Sequence, residues 1–595
     1  MPSKRKLEAI KDPSMSPKQS PITYGTHTDS DSLLDQIYKS AKLSGGSSRH
    51  ATVEEDDDAE AGPAPPPDDD EGDYGPSMPP DDDGDDEEGR FFGGGISKQE
   101  SEILDFVDGA DADLKATDKI DASWLRKTAL SFEKRITKNA ELRAKFESEP
   151  QKFISSEADL DGDIKSLSIL SEHPELYSDF VSLGCVESLV GLLAHENTDI
   201  AIDAIEIIGE LTDEDVAAED EQWNTLVDAL LEADLLSLLV SNLGRLDEED
   251  ESDRNGIYYS LGILENLCSR PTVASRIGEE VKLVKWLLNR IQRDETRVSQ
   301  NKQYAAEILA LLAQASPQNR RKLIELDTVD IVLQLIAPYR RVDPDKSGEE
   351  EEYMENLFEA LTCIVDEPEG KGKFIEAEGV ELGLLMLKEG KMSKTPALRL
   401  LDHAAGGRAG AAVCQKIVEA GGLKQTFTLF VKTQDRRISG HLIALFASML
   451  RLLLGDSAER IRTLAKFVEK DYEKIAKLMK LRREHASQIR QAEAQNDAER
   501  KDASEEDIAD LEVDWLARRL DAGLFTLQAI DAILAWLVVE DNGARRKIKQ
   551  LLAEQDDTLE VIKATLTDQM QGLDTEEEDG NDMKDMLGTL VEFLQ

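Results

Sequence analysis

At 595 residues the chain exceeds the size at which one hydrophobic core stops growing, which excludes a single globule and leaves several domains or an open-ended repeat array. Aromatics are only 5% of residues and charged residues 32%, the balance of long solvent-exposed helices rather than of a β-rich or α/β enzyme. A formal net charge of −53 sets the whole-molecule field against nucleic acid and anionic membrane and favours basic partners.

In chain order, residues 1–100 read as a disordered acidic, Pro/Gly-rich tail. Between Glu54 and Glu88 there are 18 acids and no Lys or Arg, so charge repulsion and backbone entropy both oppose collapse. Removing those 18 charges still leaves about −35, so the folded part must carry acidic surfaces too. The stretch from Met1 to Lys11 is charged rather than apolar, unlike a secretory leader, and Lys4, Arg5 and Lys6 form a short basic cluster of the nuclear-localisation type. Ser16-Pro17 and Ser20-Pro21 beside it are proline-directed phosphorylation sites that would alter its charge.

Residues 101–165 read as an N-terminal helical cap. Trp124, Leu125, Thr128, Ala129 and Phe132 fall on one helix face, and Pro150 with the acidic stretch Glu157 to Asp163 separates this cap from the next block. Over residues 166–455 one unit recurs every 40 to 55 residues or so: a helix with paired leucines, a polar turn, then a second helix ending in a leucine-rich signature. The second helices carry AIEIIGEL from Ala204, LGILENL from Leu261 and AEILALL from Ala306, with weaker copies from Asn356, Ala397 and Leu442. No such unit can bury its apolar face alone, so the units must stack. Residues 456–595 read as a C-terminal helical region that continues and caps the array: a charged helix through Lys480, a polar link near Gln491 to Glu506, and closing helices from Leu511.

The predicted fold is therefore all-α: an armadillo/HEAT-like, right-handed superhelical solenoid with helical caps and a disordered acidic N-terminal tail. Unrelated helical bundles are the alternative. The longest apolar runs, Leu442 to Leu450 and Ala532 to Val539, are about half the roughly 20 residues needed to cross a bilayer, so the expectation is a protein of the cell interior without a membrane span.

Chemistry is conspicuous by its scarcity. Cys185, Cys268, Cys363 and Cys414 lie tens of residues apart with no histidine at ligand spacing, which reads as reduced core cysteines and no metal site. There is no P-loop, no H-E-x-x-H helix and no nucleophile elbow, so no catalytic residue, cofactor or enzyme activity is assigned. Gly406 to Gly410 reads as a loop between repeats, His173 as a helix start, and His403 as a core or groove histidine.

The arrangement that can carry function is acidic. Asp203, Glu206 and Glu210 recur at i, i+3 and i+7 on one helix face, with Ile202, Ile205 and Ile208 turned elsewhere. Glu265 and Asn266 occupy the matching region one repeat on, and Glu307 the next. Like charges at this spacing repel by a few tenths of a kcal/mol per pair, a cost that a basic ligand relieves. An ordinary solvated helix face is the bland reading of the same residues.

Four stretches go beyond a generic leucine pattern: LSFEKR from Leu130 with NAELRAKF from Asn139, GLLAHENTD from Gly191 with ELTD from Glu210, ALRLLDHA from Ala397, and RRLDAGLF from Arg518. In these the chain resembles the beta-catenin-like protein 1 family, from about Ser123 to Leu594. The resemblance implies a nuclear armadillo-repeat protein of pre-mRNA splicing, associated with the nineteen complex of the spliceosome. It implies binding of basic, nuclear-localisation-type segments of splicing factors, among them the Myb-domain subunit of that complex. In armadillo arrays the last helices of successive repeats line the groove and an asparagine can hold an extended peptide, which places Asp203, Glu206, Glu210, Glu265, Asn266 and Glu307 there. The family's N-terminal basic cluster is longer than Lys4-Arg5-Lys6. No membrane and no direct nucleic-acid contact are expected, and self-association stays open. The rival is an importin-like carrier of basic nuclear-localisation signals, against which stand an acidic tail and the lack of a basic autoinhibitory arm.

Overall fold

The computed structural model describes residues 119–502, 508–573 and 578–594. The acidic tail, Lys4, Arg5, Lys6 and the first residues of the cap lie outside the described residues. Among the described residues the regular elements are all helical, with no strand.

Helix α1 (Ala122–Lys145) starts where the Asp121 carboxylate accepts the Ser123 and Trp124 amides at 2.9 and 3.1 Å, satisfying two of the donors a helix start leaves open. Its buried face is Leu125, Ala129 and Phe132 with Asn139, and Trp124 and Thr128 lie half-buried at the margin. The acidic stretch from Glu157 to Asp163 is not a separator but part of α2 (Ile154–Ser166), which packs on α1. Its carboxylates meet α1 cations: Arg135 lies 2.6 Å from Asp163 and 3.1 Å from Asp159, and Arg143 pairs with Glu157.

The repeating unit has three helices rather than two. The first is α3 (Tyr177–Ser182), α4 (Cys185–Gly191) and α5 (Thr198–Thr212); the second is α6 (Asp220–Glu232), α7 (Leu235–Arg245) and α8 (Glu251–Cys268). Then come α9 (Pro271–Gly278), α10 (Val281–Gln292) and α11 (Gln300–Ala315), and α12 (Pro317–Glu325), α13 (Thr328–Ile336) and α14 (Glu349–Ile364). The last two are α15 (Pro368–Glu376), α16 (Gly379–Glu389) and α17 (Lys394–Ala405), and α18 (Ala411–Glu419), α19 (Gly422–Lys432) and α20 (Arg436–Leu452). The short first helix turns into the second at a single left-handed residue in five of the six: Gly184 (φ 74°), Asp234 (65°), Asp327 (55°), Glu378 (57°) and Gly421 (79°). A left-handed residue with a side chain costs about 1–2 kcal/mol, less for an aspartate that bonds locally, as Asp234 does in accepting from the Ser237 hydroxyl at 2.8 Å. At the remaining junction Gly278 leaves room for Asn319: a Cβ there would sit 2.2 Å from its side-chain oxygen.

The units stack in register. Each third helix packs on the next, so α5, α8, α11, α14, α17 and α20 form one continuous row that α23 (Leu524–Glu540) extends. Bonds from side chains to neighbouring-layer carbonyls join the units. Asn242 donates to Leu193 at 2.8 Å, Trp286 to Leu243 at 2.9 Å, Asn319 to Ala274 at 3.0 Å and Tyr353 to Ile291 at 2.8 Å. Each satisfies a backbone oxygen that burial would otherwise leave without water. Cys185, Cys268, Cys363 and Cys414 are free and buried in this core.

Beyond α20, α21 (Ala458–Asp502) is two helical segments that meet at a kink, and the second continues through the segment read as a polar link up to Asp502. Its backbone breaks at Glu469–Tyr472, where Lys470, Asp471 and Tyr472 are all left-handed. It is fastened to the row by a buried Arg460 and a half-buried Lys477. Arg460 donates to the Leu453 carbonyl at 3.0 Å and to Glu540 at 3.0 Å, with its guanidinium 4.5 Å from the Trp536 ring. Lys477 donates to the Thr433 carbonyl at 2.6 Å at the end of α19, where a cation complements the helix terminus. The closing helices are α22 (Ile508–Asp521), α23, α24 (Asn542–Ala553), α25 (Glu560–Gln571) and α26 (Glu578–Phe593). No single helix among the described residues is long and apolar enough to cross a membrane.

Candidate partner-binding surface

The row of third helices brings the predicted acidic residues onto successive layers, with different surroundings for each. On α5 the isoleucines Ile202, Ile205 and Ile208 are buried, which turns Glu206 and Glu210 outward. Asp203 does not join them. It faces α2, 3.3 Å from Lys165, with its side chain only 13% exposed. Burial, then the hydrogen-bonded carboxyl of Asp161, pushes the Asp203 carboxyl up to about 7, while Asp161 is held below its ordinary value by that same bond. Asp203 therefore belongs to an internal Asp161–Lys165–Asp203 cluster.

The Tyr259 hydroxyl on α8 lies beside Glu206, and Glu265 on α8 accepts from the Tyr304 hydroxyl on α11. Both phenols are pushed above their usual value, first by burial and then by the adjoining carboxylate. Glu210 is raised as well, by burial and then by Glu206. Among the described residues no cation lies in ion-pair contact with Glu206, Glu210 or Glu265. The Asn266 amide donates to the Gly209 carbonyl at 3.1 Å and the Thr212 hydroxyl at 3.3 Å, so its NH2 group ties α8 to α5. On α11, Glu307 accepts from Gln303 at 2.9 Å. The tyrosines were not among the predicted site residues; a Tyr258-Tyr259 pair and Tyr304 in a chain with 5% aromatics were the available signal. Tyr258 completes a set of rings, 6.1 Å from Tyr259 and 5.2 Å from Tyr304.

Further along the row the acids meet cations or histidines. Glu359 on α14, 5% exposed, lies 2.7 Å from Arg399 on α17 and accepts from Gln314 at 3.2 Å. Asp366 is 3.3 Å from His403, and Asp402 is 3.0 Å from His441 on α20. His403 is a buried residue between layers, its own carbonyl accepting from Lys371 at 2.7 Å. His173 precedes the 3-10 turn Pro174–Leu176, and Gly406 to Gly410 connects α17 to α18.

Among the described residues no group of three or more His, Cys, Asp or Glu is placed to hold a metal ion. Two cavities of about 160 and 180 Å³, one beside Gly278 and Asn319 and one beside Glu248 and Arg290, fall below the roughly 300–1,000 Å³ of small-molecule sites. Burial raises all four cysteine thiols, Cys185 to about 11, which keeps them protonated and poor nucleophiles.

A family model described as catenin-beta-like, Arm-motif containing and nuclear matches residues 101–567. The chain is 38% identical over 504 residues to the beta-catenin-like protein 1 homolog of Schizosaccharomyces pombe, covering 84% of this chain and 88% of that one. It is 36% identical over 492 residues to human beta-catenin-like protein 1, covering 80% and 86%. Among solved structures, a designed armadillo repeat protein is 20% identical, covers 44% of this chain and 99% of its own, and superposes with a TM-score of 0.33.

Proposed function

The chain belongs to the catenin-beta-like, Arm-motif-containing nuclear family, and on that premise we propose that this protein-binding scaffold works in the nucleus as an adaptor in pre-mRNA splicing. In this reading it associates with the nineteen complex and holds Lys/Arg-rich, nuclear-localisation-type segments of splicing factors, the Myb-domain subunit of that complex among them. One observation carries the reading: Glu206 and Glu210 on α5 and Glu265 on α8 lie on adjacent layers of the row with, among the described residues, no cation in ion-pair contact, and tyrosine hydroxyls stand beside Glu206 and Glu265.

A hydroxyl donor orients a carboxylate without cancelling its charge. Glu206 and Glu210, two on one helix face, also repel each other, and the Glu210 carboxyl is raised first by burial and then by Glu206. A Lys or Arg side chain arriving between them gains charge-assisted hydrogen bonds and relieves the repulsion. Glu265 and Glu307 extend the same surface along the row, so an extended segment with several basic residues engages more than one layer. Asp203 and Asn266 set the backing of this surface, through α2 and through the α5–α8 tie, rather than reaching the ligand.

The test is fluorescence anisotropy of a labelled Lys/Arg-rich peptide with the full chain. Charge reversal of Glu206 and Glu210 weakens binding by at least about tenfold, equivalent to about 1.4 kcal/mol. Unchanged affinity in that variant removes the site. Copurification separates the adaptor from a transport role: splicing factors and small nuclear RNAs mark the first, importin-β the second.

A further inference from the structure

In a chain of net charge −53, α1 presents a stripe of the opposite sign. Lys127, Leu130, Lys134, Lys138, Glu141 and Lys145 follow one another at three- and four-residue spacing, which puts them on one helix face, and all six are exposed. The opposite face holds the buried Leu125, Ala129, Phe132 and Asn139. The acids of α2 serve the inner cations: Arg135 and Arg143 make the close pairs with Asp159, Asp163 and Glu157. Lys138 is 59% exposed and reaches Asp159 only at 3.9 Å, and Lys145 lies over the Phe146 ring at 5.4 Å. Leu130, between Lys127 and Lys134 on the stripe, is a large apolar side chain left 58% exposed.

We infer that the outer face of α1 docks a short acidic segment of a partner protein, with an apolar side chain of that segment covering Leu130. From Lys127 to Lys138 the cations span about 16 Å of helix, the length of about five residues of extended peptide, and Glu141 ends the run. An acidic peptide of that length places its few charges within a Debye length of about 8 Å of the lysines. A nucleic acid instead brings phosphate charge far beyond the stripe, into the field of an acidic molecule, and has no use for Leu130. Covering Leu130 contributes apolar burial of about 25 cal/mol per Å² that ionic strength does not screen. This face is distinct from the Glu206 surface in both sign and location, so the two sites take partners of opposite charge.

The experiment titrates the full chain with a short fluorescent peptide of glutamates around a Leu-Phe pair. Combined Lys127→Glu, Lys138→Glu and Lys145→Glu weakens binding at least about tenfold, and Leu130→Asp at least about threefold. Both variants keep the wild-type affinity for a Lys/Arg-rich peptide, since these exposed side chains lie away from the Glu206 surface. Four results overturn the inference: peptide binding unchanged by the lysine reversal; Leu130→Asp and Leu130→Ala both binding like wild type; a single-stranded oligouridine held more tightly than the peptide through the same lysines; or zero-length cross-links that join Lys127 to the chain's own Glu54 to Glu88 stretch while no peptide binds.

Discussion

On α5 and α8 the carboxylates Glu206 and Glu265 stand beside tyrosine hydroxyls; from α14 onward Glu359 and Asp402 meet a guanidinium and a histidine. Tyr259 lies beside Glu206 and Tyr304 donates to Glu265, whereas Glu359 lies against Arg399 and Asp402 against His441. All sit on third helices and bridge to the next layer, so position in the repeat does not decide what an acid does. The partner does. A phenol leaves the negative charge for a ligand to answer, while a guanidinium answers it from within and turns the acid into an inter-layer fastener. On the proposed reading, Glu206 and Glu265 are therefore suited to recognition, and Glu359 and Asp402 to holding their layers together.

That division can be tested by stability, beginning with the largest effect. Asp531 is fully buried, raised to about 6 by burial against the opposing pull of Arg482, whose two bonds to it measure 2.7 and 3.1 Å. Arg482→Met strands that carboxylate and lowers stability by about 3–5 kcal/mol, read as a fall in thermal midpoint. Arg399→Met leaves Glu359 with the Gln314 bond alone and costs about 1–3 kcal/mol in the same measurement.

The Asp203 carboxyl, raised to about 7, gives a pH test. A carboxyl with a folded-state value above its unfolded one binds its proton more tightly when folded, so its contribution to stability falls as pH rises from about 4 through about 7. Asp203→Asn therefore raises the thermal midpoint at pH 8 and leaves it nearly unchanged at pH 4. The two midpoints moving equally would break the assignment. Tyr304→Phe removes one hydrogen bond to an exposed carboxylate and costs about 0.5–1.5 kcal/mol. The smallest effect is the most telling: Glu206→Gln with Glu210→Gln changes stability by no more than about 0.5 kcal/mol. A large loss there would mean that these acids, too, are fasteners.

Much of the array was legible because stacked helices repeat their apolar spacing, and the third helices, the longest in each unit, were found in all six. The short first helices were not, since their ends are marked by Asp234, Asp327 and Glu378 in a left-handed conformation normally signalled by glycine. In α3, α9, α12 and α15 only one or two large apolar side chains are buried, too few to show a period. Glu157 to Asp163 looked like a linker because charge was weighed before helix propensity; as α2 it meets the cations of α1. Gln491 to Asp502 misled in the same way, being rich in Ala, Gln, Glu and Arg, all good helix formers. Periodicity placed Asp203 on a face with Glu206, but only the fold could bring Lys165 and Asp161 against it. The tyrosine partners are contacts between layers, which helical spacing within one layer does not encode.

The side-chain ties to neighbouring carbonyls, such as Asn242 to Leu193, Asn319 to Ala274 and Tyr353 to Ile291, each reach one layer and no further. A layer that opens therefore loosens only its immediate neighbours, and loss of order travels as a fraying front rather than as a single collapse. Pulled from its two ends, such a stack yields in a saw-tooth series of force peaks, and amide exchange is graded along the row, slowest where the layers are locked by buried ion pairs.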